Sequence, residues 1–344
     1  TDQQTLMEIL EFRDRNNGED LCYRILDGNK PPFEMTYGEL YRRSKDFAAS
    51  LRQRGVEPGQ KVLIMLPTSP EFFYTFFGIQ LAGGVPVPVY PPFRLGQLDE
   101  YVERLAALVR NSEAVGVIVY KKVRMIANLI LRQTPVRFLV TVETLAEERL
   151  PWHESHHGSR QDPAFIQYTS GSTGGQKGVV LSHANILHNM WAIGTATKFD
   201  PNTDVCVSWL PLYHDMGLIG TVLNTLVWGM PCVVIPPLDF IRKPSRWLWA
   251  FHNYRATMSP APNFAYSLCQ KKCKDAELEG LDLSSWRVAF CGAEPVHKDT
   301  ISTFTERFRP YGFREEAFYP VYGLAENSLA VTFPKLGDKP YLDR

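Results

Sequence analysis

Short apolar, β-branched runs recur along the chain and are separated by stretches with helical spacing. The runs are Val62–Leu66, Val85–Tyr90, Val115–Tyr120, Phe138–Val142, Phe165–Tyr168, Val205–Leu210, Cys232–Ile235, Thr257–Pro260, Val288–Cys291 and Phe318–Tyr322. Between most of them lie amphipathic segments: Pro70–Ala82, Leu98–Asn111, Ile186–Thr197, Pro244–Tyr254 and Lys298–Phe308. A near-continuous apolar strand followed by an amphipathic helix is the pattern of parallel α/β sheets covered on both faces. About ten strands are many for one sheet, so two stacked, mostly parallel sheets with helices between and outside are expected.

The segment Glu147–Pro163 carries Pro151, three histidines, Gly158 and charge, and no apolar period. It reads as a linker, dividing a first α/β subdomain (1–160) from a second (161–344). The stretch Met216–Leu238 has no charge and raises the question of a membrane span. Asn224, Gly229, Pro231, Pro236 and Pro237 interrupt it, which favours a buried helix near Leu218–Trp228 followed by a buried strand. The tail Phe333–Arg344, rich in Pro, Gly and charge, ends without a finished element, so the chain is expected to stop short of a natural end.

Composition narrows the field little. Of 344 residues 44% are hydrophobic, and 37 basic side chains balance 37 acidic ones, so nothing asks for nucleic acid or an anionic membrane as partner. Thr1–Leu10 has no basic start or apolar run and is not a secretory leader. The six cysteines lack paired zinc-finger spacing and read as reduced, mostly buried thiols of a cytosolic protein.

The richest chemical signal is Tyr168-Thr169-Ser170-Gly171-Ser172-Thr173-Gly174-Gly175-Gln176-Lys177-Gly178, set between two apolar runs. Gly171, Gly174, Gly175 and Gly178 permit backbone turns that aim amide N–H groups at an anion. Thr169, Ser170, Ser172 and Thr173 add hydroxyl donors, and Lys177 a point charge suited to phosphate. The spacing fits neither the Walker loop nor the dinucleotide fingerprint. A flexible Ser/Gly linker is the plainer alternative, opposed by the tight flanking strands and the terminal lysine.

This loop resembles the phosphate-binding loop of the adenylate-forming superfamily, with Gln176 where most members carry Pro. Three further segments follow in that superfamily's order. Trp209-Leu210-Pro211-Leu212-Tyr213-His214-Asp215-Met216-Gly217-Leu218 resembles the gating motif beside the acyl carboxylate, most like the fatty acyl-AMP ligase branch. By itself His214 reads more readily as a satisfied turn histidine. Gly292-Ala293-Glu294-Pro295 is similar to the backbone stretch that packs on adenine, with Cys291 where many members have Asn. Tyr322-Gly323-Leu324-Ala325-Glu326 resembles the Tyr-Gly-x-Thr-Glu motif, its alanine again typical of fatty acyl-AMP ligases. Alone, that pair reads more commonly as a core tyrosine and a surface glutamate.

The resemblance implies ATP-dependent activation of a fatty acid to an acyl-adenylate with release of pyrophosphate. Thr169, Ser170, Gly171, Ser172, Thr173, Gly174 and Lys177 would hold the phosphates, and Glu326 a Mg2+ ion. Tyr322, Gly323 and the Gly292–Ala293–Glu294 backbone would enclose adenine. His214 would orient the carboxylate, and Trp209, Met216, Gly217, Leu218 and Ile219 would wall an acyl tunnel. The acceptor implied is the phosphopantetheine arm of an acyl carrier protein, with coenzyme A as the nearest alternative and a non-catalytic nucleotide-binding or scaffold module as the remoter one. The superfamily's ribose-binding Asp, its hinge and its small C-terminal domain with a catalytic Lys find no place before Arg344, so the 344 residues alone are expected to adenylate poorly.

Two patterns point elsewhere and are set aside. His153-Glu154-Ser155-His156-His157 fits H-E-x-x-H, but a zinc site needs that motif on a helix and Pro151 and Gly158 flank it. Lys121, Lys122 and Arg124 beside Tyr120 read as a solvated helix start rather than a nucleic-acid surface.

Overall fold

The computed structural model describes residues 3–92, 98–152, 154–169 and 176–341. The chain divides into two compact units, Thr1–Asp20 with Thr36–Ile186, and Leu21–Met35 with Leu187–Arg344. The sequence reading drew its seam after residue 160; by compactness the crossing comes at Ile186/Leu187, inside the helix His183–Ala196.

The first unit is built on a four-stranded sheet, in the order Val85–Pro88, Lys61–Met65, Gly116–Val119, Phe138–Thr141. All three pairings are parallel. Val85–Pro88 and Gly116–Val119 are buried along their whole length, as strands covered on both faces must be. The helix Pro70–Leu81 packs an aromatic run against the antiparallel ribbon Pro163–Thr169/Lys177–Ser182, with the Phe76 and Phe165 rings edge to face at 5.7 Å.

The second unit carries a seven-stranded sheet in the order Phe318–Pro320, Val288–Gly292, Met258–Pro262, Cys206–Ser208, Cys232–Val234, Leu21–Ile25, Phe33–Thr36. Its five central pairings are parallel. Alternate strand residues (Val207, Val233, Ala289, Phe318) meet the helices Ser245–Tyr254, Asn263–Lys272 and Lys298–Phe308 in one apolar cluster. Aromatic packing dominates there. Phe251 stacks on Trp286 at 3.8 Å, and Trp247 meets the same indole edge to face at 5.0 Å. Truncating a fully buried tryptophan such as Trp247 to alanine costs about 3–5 kcal/mol.

The alternating α/β fold with mostly parallel sheets is the one the apolar pattern predicts, and each of the ten predicted runs contains or overlaps a strand. Two expectations need correction. The helix expected over Leu218–Trp228 starts earlier, at Asp215–Gly217, and runs as a π-helix over Leu218–Leu223 before closing as α over Asn224–Trp228. Gly217 explains part of this: a Cβ there would lie 2.3 Å from the Pro211 carbonyl oxygen, so only glycine lets the chain turn so tightly. Sequence periodicity also passed over Leu21–Ile25, whose pairing with Cys232–Val234 spans some two hundred residues of chain and leaves no local signature. None of the six cysteines forms a disulfide and all six are buried, and no helix among the described residues is long and apolar enough to cross a membrane.

Candidate functional site

In the first unit, the glycine-rich segment joins the two strands of an antiparallel ribbon. Thr169 and Lys177 are register partners at its end, followed by Tyr168 with Gly178 and Gln167 with Val179. Phe165, Ile166 and Leu181 anchor the ribbon in the core, while Lys177 stays exposed. The connecting residues Ser170, Gly171, Ser172, Thr173, Gly174 and Gly175 lie outside the described residues. Gly178 was expected to supply an unusual backbone turn. Instead it sits in the ladder without a positive φ, and a Cβ would come 3.0 Å from both the Tyr168 ring and Ile166. Its smallness seats Tyr168, whose hydroxyl donates to Asn111 Oδ1 at 2.6 Å. Burial raises the phenol's pKa, so it stays a neutral donor.

In the second unit, three of the segments singled out from sequence meet at one cavity of about 70 Å³. Asp215 and Met216 come from the first, Ala293 from the second, and Tyr322 and Gly323 from the third. Ile193, Gly220, Pro260, Phe290, Val321, Leu329, Ala330 and Phe333 complete the wall. Ala293, Val321 and Tyr322 stand just beyond the carboxyl ends of Val288–Gly292 and Phe318–Pro320, where open α/β sheets bind ligands. The lining is mostly apolar, with Asp215 and the Tyr322 hydroxyl its polar side-chain groups, which suits an acyl chain or a flat ring better than a polyphosphate.

Each turn at the cavity rim is fixed by backbone sterics or a side-chain bond. Gly292 admits no side chain, since a Cβ would lie 2.6 Å from the Val321 carbonyl oxygen. Ala293 takes the left-handed conformation, φ 64°. The Glu294 carboxylate reaches back to accept the Phe264 N–H at 2.6 Å, in the first turn of the helix Asn263–Lys272. The Asn263 Oδ1 in return accepts the His297 N–H at 3.0 Å. Burial, with a smaller push from Glu294, raises the Cys291 thiol to about 12, so this residue of Val288–Gly292 is an inert neutral group.

His214 lies beside this cavity rather than in its lining. Its Nδ1 is 2.8 Å from Asp215 Oδ1, and the same carboxylate oxygen accepts the Met216 N–H at 2.7 Å. About half of the imidazole remains exposed. Of the other expected wall residues, Met216 lines the cavity and Gly217 turns the chain beneath it. Leu218 and Ile219 are fully buried in the fold. Trp209 is also core, stacked on Phe240 at 3.9 Å. Gly220, unremarked in the sequence, does touch the cavity; a Cβ there would meet Leu329 at 2.9 Å.

Tyr322–Gly323 and Ala330–Thr332 form a short antiparallel ribbon, and the turn between them bears Glu326. Tyr322 is 59% exposed, its ring open to a partner, and Glu326 is exposed on the 3-10 turn Ala325–Asn327. Among the described residues no three His, Cys, Asp or Glu side chains stand together as a metal cage. Glu154–His157, the H-E-x-x-H remainder after His153, which lies outside the described residues, is not helical.

The second unit is thus a mostly parallel α/β body with a cavity at its strand ends. Residues 15–343 match the family model described as AMP-binding enzyme, and the chain belongs to that family. It is 33% identical over 345 residues to the medium-chain-fatty-acid–[acyl-carrier-protein] ligase JamA of Moorena producens, covering 97% of this chain and 57% of that protein. It is 35% identical to the long-chain-fatty-acid–AMP ligase FadD26 of Mycobacterium marinum, over 92% of this chain and 54% of the relative. A fatty acyl-adenylate ligase from L. pneumophila, solved in complex with acyl adenylate and pyrophosphate, superposes with a TM-score of 0.87 at 34% identity, over 98% of this chain and 58% of that one. The chain thus spans a little over half the length of the curated relatives it matches.

Proposed function

We propose that this chain is the ATP- and acyl-binding body of a ligase that converts a fatty acid to its acyl-adenylate and passes the acyl group to the phosphopantetheine thiol of an acyl carrier protein. The observation that carries the reading is the convergence of three separate sequence segments on one apolar cavity at the strand ends. Family membership and the named fatty-acid ligases among its relatives support the same chemistry.

In this reading the fatty-acid carboxylate attacks the α-phosphorus of ATP. The bond to the bridging oxygen breaks, and pyrophosphate leaves with that electron pair. Such a displacement needs alignment and charge neutralisation more than proton transfer. Lys177, Thr169 and the loop hydroxyls Ser170, Ser172 and Thr173 hold the β- and γ-phosphates, with the amides of Gly171 and Gly174 alongside. Adenine packs between Tyr322 and the backbone of Gly292, Ala293 and Glu294, close to Gly323. His214, braced by Asp215, donates to the attacking carboxylate and fixes its direction. Met216 and Gly217, with Trp209, Leu218 and Ile219 behind them, shape the wall for the acyl chain. Glu326 would hold Mg2+, which when bound neutralises phosphate charge. Six buried cysteines agree with a reducing, cytoplasmic setting.

The test is ATP–pyrophosphate exchange by the full-length protein across short to long carboxylic acids, followed by acyl transfer to a carrier protein or to coenzyme A. Exchange that depends on a fatty acid is expected, with transfer to the carrier arm. No exchange with any acid in the series would overturn the reading. Transfer to coenzyme A alone would keep the adenylation half and replace the acceptor.

A further inference from the structure

We propose that Asn189 is a positioning residue for the nucleotide side of the site, setting the ribbon that bears Tyr322 and Glu326. The inference rests on the roles given above to those two residues.

The ribbon cannot hold its own geometry. Its strands, Tyr322–Gly323 and Ala330–Thr332, are two and three residues long, with an irregular register at Tyr322/Gly323. Isolated two-stranded ribbons are marginal even when longer, so outside bonds decide where the turn stands. One outside side chain supplies three of them. Asn189 Nδ2 donates to the carbonyl oxygens of Ala330 at 2.9 Å and Asn327 at 3.2 Å, and its Oδ1 accepts the Ala330 N–H at 3.0 Å. These bonds grip the chain on the far side of Glu326, at the residue after it and at the start of the return strand. Asn327 Nδ2 adds a bond to the Ala330 carbonyl at 2.7 Å.

Asn189 is itself held firmly. Its helix, His183–Ala196, lies against Trp228, whose indole N–H donates to the Met190 carbonyl at 3.2 Å. A Cβ on Gly194 would lie 2.1 Å from that indole, so only glycine permits this approach. One turn along the same face, Ile193 enters the cavity wall. The helix therefore carries a cavity residue and the ribbon's anchor at i+4 and i. An asparagine in mid-helix is a poor helix former and has a better use at caps, so its three bonds to another element give the reason for it here.

The test compares Asn189→Ala, Asn189→Asp and Glu326→Gln in the full-length protein, by ATP–pyrophosphate exchange and by hydrogen exchange at the Ala330 amide. Alanine is the best helix former, so the helix survives the first change. Asn189→Ala is expected to raise the KM for ATP roughly tenfold, the effect of losing bonds to a site element, and to leave the fatty-acid KM within about twofold. The Ala330 amide should exchange about tenfold faster. Asn189→Asp keeps the shape but turns a carboxylate oxygen toward two carbonyls. It should be at least as impaired as Asn189→Ala, whereas a residue kept only for packing would accept it. A wild-type ATP KM in Asn189→Ala, with Glu326→Gln impaired, would overturn the positioning role alone. Wild-type behaviour in both variants would overturn the underlying assignment of Glu326 and with it this proposal.

Discussion

Thr169 and Lys177 face each other across the last registered pair of their antiparallel ribbon. The loop between them is thereby closed at its neck, and the lysine is fixed at the exit instead of trailing on a flexible linker. On the proposed reading, Lys177→Ala in the full-length protein lowers ATP–pyrophosphate exchange by about 10²–10³-fold, the scale of removing one charged stabiliser of a reacting phosphate. Because Lys177 is exposed and its register is set by Phe165 and Leu181, the unfolding midpoint should stay near that of the parent. Calorimetry beside the exchange assay checks both. A variant with parental exchange would remove this loop from the phosphate site.

Gly217 and Gly280 make a matched pair of glycine tests. At Gly217 a Cβ would lie 2.3 Å from a backbone oxygen that has no room to retreat, whereas at Gly280 nothing lies within 4 Å and only the positive φ of 78° resists substitution. Gly280→Ala should cost about 1 kcal/mol. Gly217→Ala should cost more, about 2–4 kcal/mol, and distort the cavity wall at Met216. Denaturant unfolding ranks the two. The reverse order would show that the Pro211–Gly217 approach is not as tight as described.

His183 makes stability depend on pH in the acid range. Its Nδ1 accepts the Leu6 N–H at 3.2 Å, and burial lowers its pKa from 6.5 to about 4. Between these values the unfolded chain binds the proton and the folded chain does not, so stability rises with pH. The contribution is complete above about pH 6.5 and is lost progressively as pH falls toward 4, for a total on the order of 3 kcal/mol. Urea unfolding from pH 7.5 to 4.5 should show this slope. His183→Gln should be less stable at neutral pH yet shallower below pH 6.5. An unchanged slope would assign the acid sensitivity to other groups.

The thiols give a chemical check on packing. All six cysteines are buried, and burial raises the Cys291 thiol to about 12, so reaching the thiols requires the fold to open. Iodoacetamide at pH 8 should leave the peptides carrying Cys22, Cys206, Cys232, Cys269, Cys273 and Cys291 unlabelled in the native protein and label them all in guanidinium. Rapid native labelling of Cys291 would mean that the strand end at Gly292 opens readily.

Much of the fold was legible because parallel strands buried on both faces have to be apolar throughout, and that pattern is local. The runs at Val62, Gly116 and Val288 announce themselves in any window of five residues. The polar chemistry was legible for a similar reason: glycines, hydroxyls and a lysine crowd into the short stretch before Gly178, so composition alone marks the loop. Roles that depend on distant partners were not legible. Gly178 looked like a flexible phosphate glycine, yet its Cα is bare because the Tyr168 ring needs the space. Trp209 and Leu218 are expected in the tunnel wall as part of the segments that carry the superfamily resemblance. The first is stacked on Phe240 in the core and the second is fully buried.

What the sequence by itself determined is the order of strands and helices and the identity of the chemical groups, since both follow from side-chain type and short-range spacing. The tertiary structure alone decided which of those groups share a cavity and what holds them there. Asp215, Ala293 and Tyr322 meet only because parallel strands far apart in the chain end side by side, and Asn189 reaches Ala330 only because Gly194 lets a helix settle onto Trp228. Those contacts come from long-range closure and close packing, and no local window of sequence carries them.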